Sequence, residues 1–140
     1  MATIQQIREA IGERLLTLDG MRVAQEWSDP INVSGNALVA VVEYAGASYD
    51  DVFNDQGHAI LFGIVVLASK SGPDDRSGKD KIDSLNDPTP GSTTCLRRPV
   101  NGNLGGIVAS ATVRSSSEYK EYTPGDVPYL GCEYVVAVMT

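Results

Sequence analysis

At 140 residues the chain fits one domain with a single core, and 42% apolar with 21% charged residues is globular usage that excludes a mostly disordered or collagen-like polymer. A formal net charge of -7 sets a field that repels phosphate backbones and anionic membrane surfaces, which argues against direct DNA binding. Taken alone, that acidity needs no function beyond solubility.

Two cysteines, Cys95 and Cys132, stand far apart without metal-ligand spacing, and they read as buried, reduced thiols. The opening Met-Ala-Thr-Ile-Gln-Gln-Ile-Arg lacks the basic segment and apolar run of an export signal, and no stretch approaches about 18 apolar residues. The expectation is a soluble protein made in a cytoplasm.

Thr3 followed by Gln6 has the form of a capping box, and Ile4, Ile7, Ile11, Leu15 and Leu18 recur at spacings of three and four. An amphipathic helix is predicted over residues 3–18, ended by Gly20 in a left-handed conformation. A short strand follows over 21–27, closed by Ser28-Asp29-Pro30, and a denser apolar run over 37–44 predicts a second strand.

Residues 49–54 and 58–69 flank Asp55-Gln56-Gly57 and are expected to pair as an antiparallel hairpin. In its second arm, Ile60, Phe62, Ile64 and Val66 share one face while Leu61, Val65 and Leu67 share the other. A strand apolar on both faces belongs mid-sheet or against a partner.

Ser71-Gly72-Pro73 stops that strand, and 74–85 is predicted as a solvated helix anchored by Ile82 and Leu85, with Lys79 spaced to pair with Asp75 and Asp83. After a turn cluster over 86–92, residues 93–98 are expected to form a short helical turn limited by Pro99. Alternation over 107–114, with Ile107, Ala109, Ala111 and Val113 on one face, predicts a strand, and 118–122 predicts another. Thr123-Pro124-Gly125-Asp126 is a turn before a closing strand over 129–138. The fold class that results is α+β, a mixed, mainly antiparallel β-sheet with helices packed on one face, in a single domain over 1–140.

No enzyme motif survives inspection. His58 is the only histidine, so any nucleophile–histidine arrangement must use it, yet it stands beside a hairpin turn. With Asp50, Asp51 and Asp55 it could at most suggest a loose Mg²⁺ or Ca²⁺ site, and a solvated acidic loop is the plainer reading. The glycine-rich segment 101–106 precedes a strand and lacks the Lys-Ser or Lys-Thr of a nucleotide loop. Asp74 and Asp75 read as helix caps, Arg97-Arg98 as surface, and the pair Glu118 and Glu121 carries no sign of acid–base chemistry. What remains are aromatics in strands with polar neighbours, Phe53, Tyr119, Tyr122 and Tyr129, of the kind enriched at protein interfaces, with capping of the core an equally good reading.

The opening Ile-Gln-Gln-Ile-Arg-Glu-Ala-Ile-Gly-Glu-Arg-Leu-Leu-Thr-Leu-Asp-Gly-Met-Arg-Val is similar to the first helix and strand of the tail terminator proteins of long-tailed phages. Further likenesses follow in the same order: Ala-Leu-Val-Ala-Val-Val at 37–42, Tyr-Asp-Asp-Val-Phe at 49–53, Val-Val-Leu-Ala-Ser-Lys at 65–70, Tyr-Lys-Glu-Tyr at 119–122, and the closing segment 127–138. Departures fall at Ser34-Gly35-Asn36, where the family has more proline, and at 93–103, where Pro99 interrupts the family's helix.

The resemblance implies a non-enzymatic virion protein, without cofactor or metal, that assembles as a hexameric ring on the head-proximal end of the tail tube. There it would end tube polymerisation and present a docking surface to the head connector, while DNA passes through unbound. It implies contacts to the major tail tube protein and places the protein at the head–tail junction, with assembly in the host cytoplasm. The segment around Asp50, Asp51, Phe53 and Asn54 and that around Tyr119, Glu121 and Tyr122 are the expected subunit and tube contacts. Alternatives are a neck or head-completion protein of the same virion, or a monomeric protein-binding module.

Overall fold

The computed structural model describes residues 3–18, 20–24, 38–48, 59–69, 76–87, 89, 94–123 and 129–139. Along the chain these form helix α1 (Ile4–Leu15), strands β1 (Met21–Ala24), β2 (Leu38–Ser48) and β3 (Ala59–Ser69), helices α2 (Arg76–Leu85) and α3 (Arg97–Val100), and strands β4 (Ser110–Ser116), β5 (Lys120–Tyr122) and β6 (Tyr129–Met139). The protein is α+β, with a mixed, mostly antiparallel six-stranded sheet in the order β1-β2-β3-β6-β4, and β5 also paired with β6. The single parallel pairing among these strands is β1 with β2.

The capping box forms as the sequence predicts. The Gln6 amide donates to Thr3 Oγ1 at 3.1 Å, and the Thr3 amide donates to Gln6 Oε1 at 2.9 Å. The α-helix ends earlier than expected, at Leu15, because the chain then tightens: the Thr17 and Leu18 amides bond to the carbonyls of Arg14 and Leu15, three residues back. Gly20, at φ 75°, takes the predicted left-handed turn into β1. Ile7, Ile11, Leu15 and Leu18 are buried, whereas Ile4, in the first turn where the helix runs past the core, stays 40% exposed.

The hairpin partner of β3 is β2, in register from Leu38↔Ala68 to Ser48↔Ala59. The expected first arm over 49–54 and its turn lie outside the described residues. Sequence reading stops the second strand at Tyr44 because Ala45-Gly46-Ala47-Ser48 has low strand propensity. The ladder to β3 nevertheless carries the strand to Ser48 through a bulge between Tyr44 and Gly46, the latter at φ 130°. β3 is central as predicted, paired along its length with β2 and β6 and buried from Phe62 to Ala68.

One side of the sheet packs against the helices. Ile7, Ile11 and Leu15 of α1, Ile82 and Leu85 of α2, and Val100 of α3 join Phe62, Ile64, Val66, Tyr134 and Val136 in one core, each buried aliphatic contributing about 1.5–3 kcal/mol. A second cluster, Ala24, Val39, Val41, Val65, Leu67 and Tyr129, lies on the opposite face and contains no residue of a described helix. The predicted helices therefore share one face.

Toward the C-terminal half, two boundaries differ from expectation. Pro99 lies inside α3, in the first turn, where its missing N–H has no intrahelical partner to lose. The strand expected from residue 107 begins at Ser110, because Leu104 (φ 52°), Gly105 (φ 78°) and Gly106 (φ 94°) turn the chain. Ile107 consequently points outward at 41% exposure, and Val108 is buried in its place. Tyr129, which the sequence leaves evenly between interface and core, is 6% exposed and belongs to the second cluster.

Candidate subunit interface

β4 and β5 lie end to end along the same edge of β6: Ser110–Ser116 runs against residues 139 to 134, and Lys120–Tyr122 against 131 to 129. They are one edge strand interrupted at 117–119. Ser117 maintains the ladder through the break, its amide donating to Glu133 O at 2.8 Å and its Oγ accepting from the Glu133 amide at 2.9 Å. The interruption leaves β5 short, with the exposed charges of Lys120 and Glu121 in two of its three positions, which is how an edge avoids indiscriminate strand pairing.

The residues predicted to act together at this edge are separated by the sheet. Tyr119 reaches the helical side, where its hydroxyl donates to Asp83 Oδ1 on α2. Tyr122 packs against the second cluster on the opposite face. Glu121 is exposed. Asp50, Asp51, Phe53 and Asn54 lie outside the described residues, as does His58.

On the face that carries Tyr122, the sheet brings together two glutamates that the sequence reading missed. Glu133 of β6 leans over Gly63 of β3, where its Oε1 lies 3.3 Å from the position a Cβ on that glycine would take. Glu43 of β2 is the register partner of Gly63 from the other side. Partial burial, and then the neighbouring Glu133, push the Glu43 carboxyl up from its ordinary value. Burial, followed by the charges of Glu133, Cys132 and Glu43, does the same to the Tyr122 phenol. A charged residue in the middle of each of two apolar strands, with a glycine in the strand between them, is the signal that could have found this group.

Two carboxylates set this way repel, and they lower the affinity of the surface for any acidic partner. Among the described residues no group of three His, Cys, Asp or Glu side chains gathers as metal ligands. Both cysteines are free and buried, and burial raises the Cys132 thiol, which keeps it protonated and unreactive. No described helix is long and apolar enough to cross a membrane. An open groove of about 870 Å³ runs between the outer side of α1, with Glu9, Glu13 and Arg14, and the Leu104–Ile107 turn, well separated in sequence from the predicted contacts.

No protein-family model matches the chain, and no curated protein matches it in sequence.

Proposed function

We propose that the protein is a structural subunit of the tail-terminator type: copies close into a hexameric ring on the head-proximal end of a phage tail tube, stop its growth, and present the docking surface for the head connector. The observation that carries this reading is the likeness in sequence, which runs in unbroken order from the first helix through Tyr119-Lys120-Glu121-Tyr122 to the closing strand. An α+β subunit whose described helices share one face of the sheet, and whose β5 edge is short and charged, is compatible with it.

The mechanism is geometric and involves no enzyme chemistry. One ring face copies the contacts of a tube subunit, and the other lacks the surface that would recruit the next tube ring, so a head-to-tail stack stops. In the ring, β5 and the segment around Asp50, Asp51, Phe53 and Asn54 make the lateral or tube contacts. With a net charge of -7 per chain, carboxylates lining the channel would keep passing DNA from adhering. Tail tubes polymerised with the protein and imaged by negative stain test the reading: density capping one end and arrested lengths are expected. Unrestrained tubes without bound density would leave a neck protein or a monomeric binding module.

A further inference from the structure

β4 stands at one end of the described strand order, and the outward N–H and C=O groups of such a strand are a template for another chain. Three of these groups are taken up by the segment that follows α3. The Ala111 amide donates to Gly102 O at 2.5 Å and the Gly102 amide donates to Ala111 O at 3.0 Å, so the two residues pair as in an antiparallel ladder. Two residues further along β4, the Val113 amide donates to Asn101 Oδ1 at 2.8 Å, and a side-chain carbonyl takes the place of a strand carbonyl.

The residues on either side hold this segment against the edge. Val100 and Leu104 are both buried in the helical-side core, whereas Asn101 and Gly102 are exposed, so burial of their own does not account for their position. Gly102 takes φ 136°, and beyond its chain neighbours nothing lies within 4 Å of where its Cβ would stand. Glycine is needed there for the backbone direction that aims N–H and C=O together at Ala111, not for space. The rest of the edge shows what the segment is for. β5 is blunted by Lys120 and Glu121, but Ser-Ala-Thr-Val at 110–113 carries neither a charge nor a proline.

We propose that β4 is a self-pairing edge sealed in cis: Asn101 and Gly102 occupy the place of a strand from a second copy of this chain, and without them two β4 edges join. Ala111 exchanges both of its outward backbone bonds with one partner residue. An antiparallel pair about a two-fold axis needs that arrangement when Ala111 of one copy faces its equivalent in the other. In that register the two Arg114 side chains stand roughly 20 Å apart, at about 3.3 Å per residue, so no like charges oppose the pairing. The inference goes beyond the proposed function and does not rest on it.

The test combines amide exchange with sedimentation velocity, both on the full-length protein. In wild type the Ala111 and Val113 amides should be protected although they point away from β6. Asn101→Ala should speed exchange at Val113 by about fivefold or more, the effect of one hydrogen bond, while Asn101→Asp, which keeps the acceptor, should not. Asn101→Ala combined with Gly102→Pro, which removes the amide donor and forbids the positive φ, should add a concentration-dependent association that wild type at the same concentrations lacks. Should Gly102→Pro prevent folding, Gly102→Ala, strained by φ alone, serves in its place. Thr112→Lys introduced into the double variant should reverse the association by setting like charges across the new pair. Wild-type Ala111 and Val113 amides that exchange as fast as an unstructured chain, or an Asn101→Ala variant with Val113 exchange unchanged, would overturn the seal. A folded double variant that sediments as wild type does would overturn the self-pairing.

Discussion

The ring of Tyr122 lies directly over Gly131: a Cβ placed on that glycine would come within 2.8 Å of Tyr122 Cδ2 and 2.7 Å of the Val66 carbonyl oxygen. An aromatic on the edge strand thus covers the bare backbone of its neighbour, and the glycine is what allows β5 and β3 to approach β6 together. Gly131→Ala should destabilise the fold by about 1–3 kcal/mol, because the contact with Val66 is to backbone and cannot be relieved by a rotamer change. Chemical denaturation measures this. Adding Tyr122→Ala should recover only part of the loss, and full recovery would show that the backbone contact is unimportant.

Glu43 gives a pH dependence with a defined sign. Its folded pKa lies above the ordinary carboxylate value, so between those two values the native state binds more protons than the unfolded state, and stability falls as pH rises through that window. Glu43→Gln should therefore be more stable than wild type at pH 7 and lose the advantage below about pH 4, where both forms are neutral. The gain is small, on the order of a few tenths of a kcal/mol, since Glu43 is only partly buried and water screens it. Denaturation midpoints compared at pH 4 and pH 7 read it, and an advantage that grew on acidification would contradict the assignment.

The start of α1 offers a local test. Thr3→Ala removes the acceptor of the Gln6 amide and should cost about 1 kcal/mol, with Thr3→Ser close to wild type. Equal stability of the two variants would mean that the first turn frays regardless of its cap.

At the β5 edge the exposed pair can be altered without touching the core. Lys120→Glu combined with Glu121→Lys should leave the denaturation midpoint of the isolated subunit within about 0.5 kcal/mol of wild type, yet block ring closure or attachment to tube ends. Sedimentation in the presence of tube separates the two effects. Rings that form normally in this variant would remove β5 from the interface.

Much of the fold was legible because the signals were local. The Thr3 and Gln6 cap, the apolar stripe of α1, the positive φ of Gly20 and the two-faced apolar run of β3 all follow from spacing and residue type. The extension of β2 to Ser48 was not, since it depends on a partner strand, and neither was the late start of β4, which a left-handed Leu104 imposes against that residue type's preference. Nor was the site as a whole. Tyr119 and Tyr122 are three residues apart and fall on opposite faces of the sheet, so they cannot act as one contact. Glu43 and Glu133 are ninety residues apart, and only the ladder through Gly63 makes them neighbours.

The most direct test of the central claim is the length distribution of purified tail tubes polymerised with and without the protein, imaged by negative stain. The account predicts tubes arrested in length, each carrying extra density at one end only. Tubes that grow equally long in both preparations and bear no added density would contradict it.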